Sequence, residues 1–334
     1  MKEFLEKVIQ NKDLNRAEAT EAFDQIMQGK ATPVQIAAFL TALRIKGESV
    51  DEITGAAQSM RQHAVYIDPG GRDVVDTCGT GGDSRNTFNI STTAAFIAAG
   101  AGVIVAKHGN RAVTSGCGSA DLLQELGVNI DVDPEVIEES IQEVGIGFLF
   151  AQKLHPAMKH AAPIRAELKI RTIFNILGPL TNPAGARRQL IGVFAPQLTE
   201  LMARVLLELG AQRALVVHGH DGLDEISSIS PTRISELCDG TVRTYDFDPE
   251  TLLDHAACHD DLAGDDPVHN ATITAAILDG RKGPCRDIAC LNAAAAIMIG
   301  GKADSISEGL RLANEAIDSG KAAAKLEALI EITG

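Results

Sequence analysis

The sequence predicts an α/β protein in two parts. A small helical domain covers residues 1–66, and a larger α/β domain with a mostly parallel sheet covers residues 73–334. Three observations predict this. Helical runs with apolar faces follow one another up to residue 66. From residue 73 the rhythm changes to short apolar strand, glycine turn and helix. The length of 334 residues also suits about two domains on a prior of roughly 150 residues each.

In the first part, Phe4, Leu5, Val8 and Ile9 keep the spacing of one helix face. Asn15 followed by Glu18 marks a capped start, and Gly29 a stop. Thr32–Pro33 opens a third helix, with proline in the first turn where its missing N–H does no harm. Gly47 ends it, and Ser49 with Glu52 forms a capping box for a fourth.

Five strands then read as DVVDTC (73–78), VIVAK (103–107), GFLFA (147–151), LIGVFA (190–195) and ALVVHG (214–219). Continuously apolar strands alternating with helices belong to a parallel sheet covered on both faces. Such sheets take ligands at the carboxyl ends of their strands. The stretch Thr92 to Ala106 reads as a buried helix running into a strand, and it falls short of the ~20 apolar residues a membrane span needs. Residues near 153–185 form a helical excursion that rejoins the first domain, its first part carrying Lys153, Lys159, Arg165, Lys169 and Arg171. The C-terminal stretch is helical and alanine-rich.

Composition excludes some functions. Aromatic residues are 4% and tryptophan is absent, so the core rests on Ala, Val, Ile and Leu. The net charge of −15 argues against a generic nucleic-acid binder, which needs a basic face to displace counterions. A single pocket can still bind phosphate. Six cysteines without a CxxC pair, and an N-terminus without a signal-peptide core, point to free buried thiols in a reducing cytoplasm and no membrane.

Four clusters carry polar chemistry. The first, Asp76-Thr-Cys-Gly-Thr-Gly-Gly-Asp83, follows a strand and leads into a helix beginning near Ser91. Its glycines permit positive φ and close backbone approach, and Asn89, Ser91, Thr92 and Thr93 crowd a helix start that favours anions. A polyphosphate cradle and a tight capped turn both fit that pattern. The second, Lys107 to Ser119, supplies Lys107, Arg111, Gly109, Gly116 and Gly118, with His108 either an acid–base group or a hydrogen-bonding spectator. In the third, Asp224 and Glu225 follow the strand ALVVHG. Adjacent side chains diverge in extended chain, so the pair either serves two hard cations such as Mg²⁺ or is a solvated charge pair. The fourth is the basic excursion, where spacing does not choose among the five bases.

Together GTGGD (79–83), NIST (89–92), KHGNR (107–111), DE (224–225), RTIFNILGPLTNP (171–183), GSADLLQELG (118–127) and LNAAAA (291–296) resemble the anthranilate phosphoribosyltransferase family over nearly the whole chain. The resemblance implies a fold of the nucleoside phosphorylase/phosphoribosyltransferase type and a homodimer formed through the helical domain. It implies coupling of anthranilate to 5-phosphoribosyl 1-pyrophosphate, a step of tryptophan biosynthesis. By matching motif, Gly79, Gly82, Asp83, Thr87, Asn89, Ile90, Ser91, Thr92, Lys107 and Ser119 would bind the phosphoribosyl pyrophosphate. Gly79, Asn110 and Arg165 would meet anthranilate. Two Mg²⁺ per subunit would sit on Ser91 with Glu225, and on Asp224 with Glu225. Two positions depart from the family pattern: Lys169, where glycine is commoner, and Ser228-Ile-Ser after the acidic pair.

No general acid or base is assigned. The amine of anthranilate is neutral at pH 7 and needs placement more than deprotonation. Two alternatives are a pyrimidine nucleoside phosphorylase, to which adjacent acids after a strand are of no use, and an inactive relative that binds nucleic acid, which should carry a basic groove.

Overall fold

The computed structural model describes residues 1–83, 85–112, 116–253 and 257–334. Helices α1 (Lys2–Ile9), α2 (Arg16–Met27), α3 (Pro33–Lys46) and α4 (Val50–Gln62) open the chain. Reciprocal capping boxes start three of them, Asn15 with Glu18, Thr32 with Gln35 and Ser49 with Glu52. Gly47 at φ +87° ends α3, a conformation costly for any residue with a Cβ.

The larger part is a seven-stranded sheet in the order β3-β2-β1-β4-β5-β6-β7. Its strands are β1 (Val75–Asp76), β2 (Val105–Gly109), β3 (Ile146–Phe150), β4 (Arg188–Gly192), β5 (Arg213–Gly219), β6 (Thr232–Cys238) and β7 (Thr241–Phe247). The first five pair in parallel, and they are the five expected. The other two are a correction to the sequence reading, because β6 and β7 form an antiparallel hairpin extending the sheet beyond β5. Asp239 and Gly240, at φ +49° and +70°, make its two-residue turn.

Strand alternation sorts side chains into two cores. Leu190, Leu215 and Val217 face helix α5 (Ile90–Gly100) and the later helix Pro284–Ile299. Ile191, Val193, Ala214 and Val216 face the other way and join the core of the N-terminal helices. The excursion joins that second core through Ala161, Ile164, Phe174 and Leu177. Phe174 meets Phe23 edge-on, with ring centroids 5.8 Å apart. The N-terminal helices are thus packed on this face through residues 161–180 and through helix Leu198–Glu208, which lies against the sheet.

Candidate active site

The chain runs from β1 outward to β2 and β3 on one side, and β4 begins the other side. The crevice between β1 and β4 is therefore the topological switch point, where open α/β sheets bind ligands. The glycine loop leaves β1 there and is stitched to β4. The Thr80 amide donates to Gly192 O at 2.8 Å, and the Phe194 amide donates to Thr80 Oγ1 at 3.1 Å. Gly81 and Gly82 take φ of +63° and +81°. A Cβ on Gly79 would lie 3.2 Å from Asp224 Oδ2, and one on Gly192 only 1.5 Å from Asp224 O. The missing side chains therefore let loop, strand and acidic pair meet.

Lys107, almost fully buried, lies under this loop and donates to Thr77 O at 2.9 Å. Thr77 Oγ1 in turn donates to Ser91 O at 3.1 Å, at the start of α5. Three carboxylates gather around that helix start. The Ser91 backbone lies beside Glu225 and the Gly81 backbone beside Asp224, each favouring the ionised carboxylate, and Asp83 lies next to Asp224. Burial, and then repulsion from Asp83, raise the Asp224 pKa; burial, and then Asp224, raise that of Glu225. Lys107 is the cation that opposes the Glu225 shift. Thr92 Oγ1, buried in the first turn of α5, has no hydrogen-bond partner among the described residues. Crowded carboxylates and a free hydroxyl at a helix start form a donor set suited to hard cations and phosphate oxygens.

The other expected residues are placed differently. Ile90 is buried in the main core, so its backbone alone faces the site. Asn89 donates to Cys117 O at 3.1 Å and accepts from Asn270 at 3.0 Å, and both ends of its amide are therefore held. Thr87 pairs with Ala263 in an isolated bridge. Ser119 Oγ accepts from the Asn110 amide and donates to Asn110 O, each at 3.2 Å, fixing the loop after β2. Asn110 Oδ1 accepts from Gln152 at 3.2 Å. Arg111 is paired with Asp121 at 2.8 Å. Ser84 and residues 113–115 of these loops lie outside the described residues.

His108 does not suit the acid–base role. Its Nδ1 donates to Gly178 O at 3.1 Å, so its Nε2 accepts from His155 Nε2 at 3.2 Å. Burial lowers His108 to about 3 and His155 to about 4, so both rings are neutral at pH 7. The spectator alternative holds, since no ring nitrogen is left for substrate. Asp76 completes this buried group, accepting from the His108 amide at 3.0 Å and from Asn182 at 2.8 Å. Asp76, Cys78 and His108 bring metal-binding atoms within 4.8 Å of one another. The Asp76 oxygens and His108 nitrogens are already hydrogen-bonded, and burial pushes the Cys78 thiol up. That trio is structural.

Among the five bases of the excursion, geometry singles out two. Lys153 donates to the carbonyls of Asp131 and Val132, while Lys159 and Lys169 are exposed. Arg165 is half-buried, with its guanidinium 5.3 Å from the centre of the Phe174 ring and no ion-pair or hydrogen-bond partner among the described residues. Arg171, one of five bases that spacing does not separate, donates to Gly82 O and stacks 4.0 Å from the centre of the Phe194 ring. It pins the glycine loop from the excursion. Nothing in its spacing signals this, because Gly82 lies 89 residues earlier.

A helical bundle joined to an α/β domain, with a glycine loop and acids at the switch point, defines a glycosyl transferase of the two-domain kind. The helical bundle domain of that family matches residues 2–64, and its a/b domain matches residues 71–323. The anthranilate phosphoribosyltransferase of Syntrophobacter fumaroxidans is 56% identical over 329 residues, covering 98% of each chain. That of Desulfosudis oleivorans is 57% identical, covering 98% of this chain and 97% of its own. The crystal structure of the Thermus thermophilus enzyme superposes with a TM-score of 0.94 at 44% identity, covering 99% of both chains. The Saccharomyces cerevisiae enzyme in complex with PRPP and Mg superposes at 0.90 with 29% identity, covering 99% of this chain and 97% of its own. The chain belongs to the anthranilate phosphoribosyltransferase family.

Proposed function

We propose that this chain transfers the 5-phosphoribosyl group of 5-phosphoribosyl 1-pyrophosphate to the amine of anthranilate, releasing pyrophosphate. The observation that carries the reading is the gathering of Asp83, Asp224 and Glu225 around the start of α5, beside an open glycine loop and above the buried Lys107. As C1 parts from its leaving group, positive charge grows on the ribose ring and negative charge on pyrophosphate, so catalysis rests mainly on holding the pyrophosphate. The Ser91 and Thr92 hydroxyls in the first turn of α5 and the loop of Gly79, Gly82 and Asp83 bind its oxygens. Lys107 supplies the field beneath them, and Thr87, Asn89, Ile90 and Ser119 shape the walls.

The donor set fits Mg²⁺, a cation that takes one or two carboxylates plus substrate phosphates. Ser91 with Glu225 would hold one ion, and Asp224 with Glu225 a second. When bound, Mg²⁺ supplies charge that stabilises the leaving pyrophosphate. Arg165, with Gly79 and Asn110, places anthranilate, because a planar guanidinium fork matches a carboxylate. No residue needs to take a proton before attack, in keeping with the neutral, fully engaged His108.

Homodimer formation through the helical domain is supported by a stripe on α3. Val34, Ala38 and Ile45 lie along one exposed side, Val34 at 78% and Ile45 at 81% exposure, with Ile9 of α1 also outside at 66%. Such an apolar stripe on a helix marks an association surface. Six unpaired cysteines support a reducing, cytoplasmic setting. Among the described residues no helix is long and apolar enough to cross a membrane. The relatives named above support neither the nucleoside phosphorylase nor the nucleic-acid-binding alternative. The test is anthranilate fluorescence. It should fall when phosphoribosyl pyrophosphate and Mg²⁺ are added together, and a steady signal at high enzyme concentration would refute the reading.

A further inference from the structure

The alanine-rich motif LNAAAA, residues 291–296, has no part in the reaction described so far. Its Asn292 lies in helix Pro284–Ile299 and is fully buried. An amide at such a place needs partners, and both of its ends close on one residue. Asn292 Oδ1 accepts from the Ile226 amide at 2.9 Å, and Nδ2 donates back to Ile226 O at 2.9 Å. The second Nδ2 hydrogen reaches Ile288 O, also at 2.9 Å, tying the side chain to its own helix. One side chain thus gives Ile226 the two-way pairing that a neighbouring strand would provide.

Ile226 directly follows Glu225. On the other side of the acidic pair, Asp224 O rests so close to Gly192 that no Cβ would fit. The pair is therefore gripped by β4 before it and by Asn292 after it. The helix bearing Asn292 also packs along α5, whose first turn carries Ser91 and Thr92. Its side chains there are small, Ala293 to Ala296, all fully buried. A single rigid helix sets the acidic pair and the anion-binding helix start relative to each other.

We propose that Asn292 is a positioning residue, which holds both backbone groups of Ile226 and thereby fixes Asp224 and Glu225 as metal ligands. The proposal rests on the reading of that pair given under the proposed function. Without the amide, the buried N–H and C=O of Ile226 lose their partners, and the loop relieves that cost by moving. Small displacements of groups that position reactants are costly, and partners behind metal ligands typically govern affinity by ten- to hundredfold.

The test compares Asn292→Leu, similar in branched shape but without hydrogen bonds, with Ile297→Ala, a cavity in the same buried helix away from the loop. Asn292→Leu should raise the Mg²⁺ concentration for half-maximal transfer roughly tenfold, with an unchanged KM for anthranilate. In the metal-free chain it should also speed hydrogen exchange at Ile226 and Ser227. Ile297→Ala should lower the melting temperature while leaving both readouts as in the wild type. Asn292→Ser, which keeps a short donor and acceptor, should fall between, and it takes the place of the leucine variant if that one does not fold. Wild-type exchange and Mg²⁺ dependence in the Asn292 variants, or the same changes in Ile297→Ala, would overturn the proposal. A wild-type chain that transfers nothing would sink the transferase reading and this role together, whereas a working wild type with Mg²⁺-indifferent Asn292 variants sinks this role alone.

Discussion

Two polar clusters flank the carboxyl end of β1, and they are built in opposite ways. On the β2 side, Asp76, His108, His155 and Asn182 form a closed group in which donors meet acceptors at 2.8–3.2 Å. On the β4 side, Asp83, Asp224 and Glu225 crowd together, repel one another and are opposed by one buried lysine. The first arrangement stabilises the fold by itself, because a satisfied buried network needs nothing more. The second is costly until something positive arrives. The lesson is that histidines and carboxylates close to a cleft divide by whether their partners are already present. His108 looked as chemical in the sequence as Glu225, yet its ring nitrogens are both engaged.

Mutation of each cluster should break this comparison in opposite directions. Asp224→Asn with Glu225→Gln should cut turnover more than about a hundredfold, since metal-borne charge stabilisation is worth several kcal/mol, while thermal unfolding shows a melting temperature equal to or above the wild type. Asp76→Ala should do the reverse to stability. It strands the buried His108 amide and the Asn182 donor, each worth ~1–3 kcal/mol, and denaturant titration should show a loss of a few kcal/mol.

A smaller effect tests the acceptor side. Arg165→Ala should raise the KM for anthranilate ten- to hundredfold, the equivalent of ~1.5–3 kcal/mol for a charge-assisted hydrogen bond. Affinity for phosphoribosyl pyrophosphate, followed by calorimetry, should change little, and Lys169→Ala should leave both constants near wild type. A silent Arg165→Ala beside an impaired Lys169→Ala would move the carboxylate contact to Lys169 and refute the choice of Arg165.

The pH dependence of stability sharpens the contrast further. Carboxyl groups raised in the folded state bind protons more tightly there than in the unfolded chain, so their ionisation works against folding. In metal-free protein the ionisation of Asp224 and Glu225 should therefore contribute a falling slope of stability from about pH 4, the ordinary carboxylate value, toward neutrality. It is set against the rising slope that the buried, neutral His108 and His155 contribute over the same range. Thermal melts should show the falling slope reduced in the Asp224→Asn, Glu225→Gln variant and by added Mg²⁺. The smallest expected effect is at Lys169, which holds φ +50° at the end of helix Ala162–Leu168. That left-handed position is one glycine adopts without strain, in line with the departure from the family pattern expected there. Lys169→Gly should shift stability by less than about 1 kcal/mol, as read from its denaturation midpoint.

Much of this was legible in the sequence for physical reasons. The capping boxes at Asn15 and Ser49 are local, so spacing alone reveals them. The five parallel strands are buried on both sides and read as continuous apolar runs. β7 is not legible in this way, because one of its faces is exposed and TVRTYDF alternates instead of running apolar. The Asp239-Gly240 turn was the available signal for the hairpin. The glycine loop, Lys107 and the acidic pair were visible as clusters following strands. Arg171, Asn182 and Asn292 were not, since their partners lie 66 to 106 residues away and no local pattern records such contacts.

The central claim, that the acidic cluster is a site awaiting cations while its neighbour is structure, is tested most directly by calorimetry of phosphoribosyl pyrophosphate binding with and without Mg²⁺. Wild-type protein should bind with Mg²⁺ and lose most of that affinity in chelator, whereas Asp224→Asn with Glu225→Gln should bind weakly in both. Equal affinity with and without the metal, unchanged by the double substitution, would contradict it.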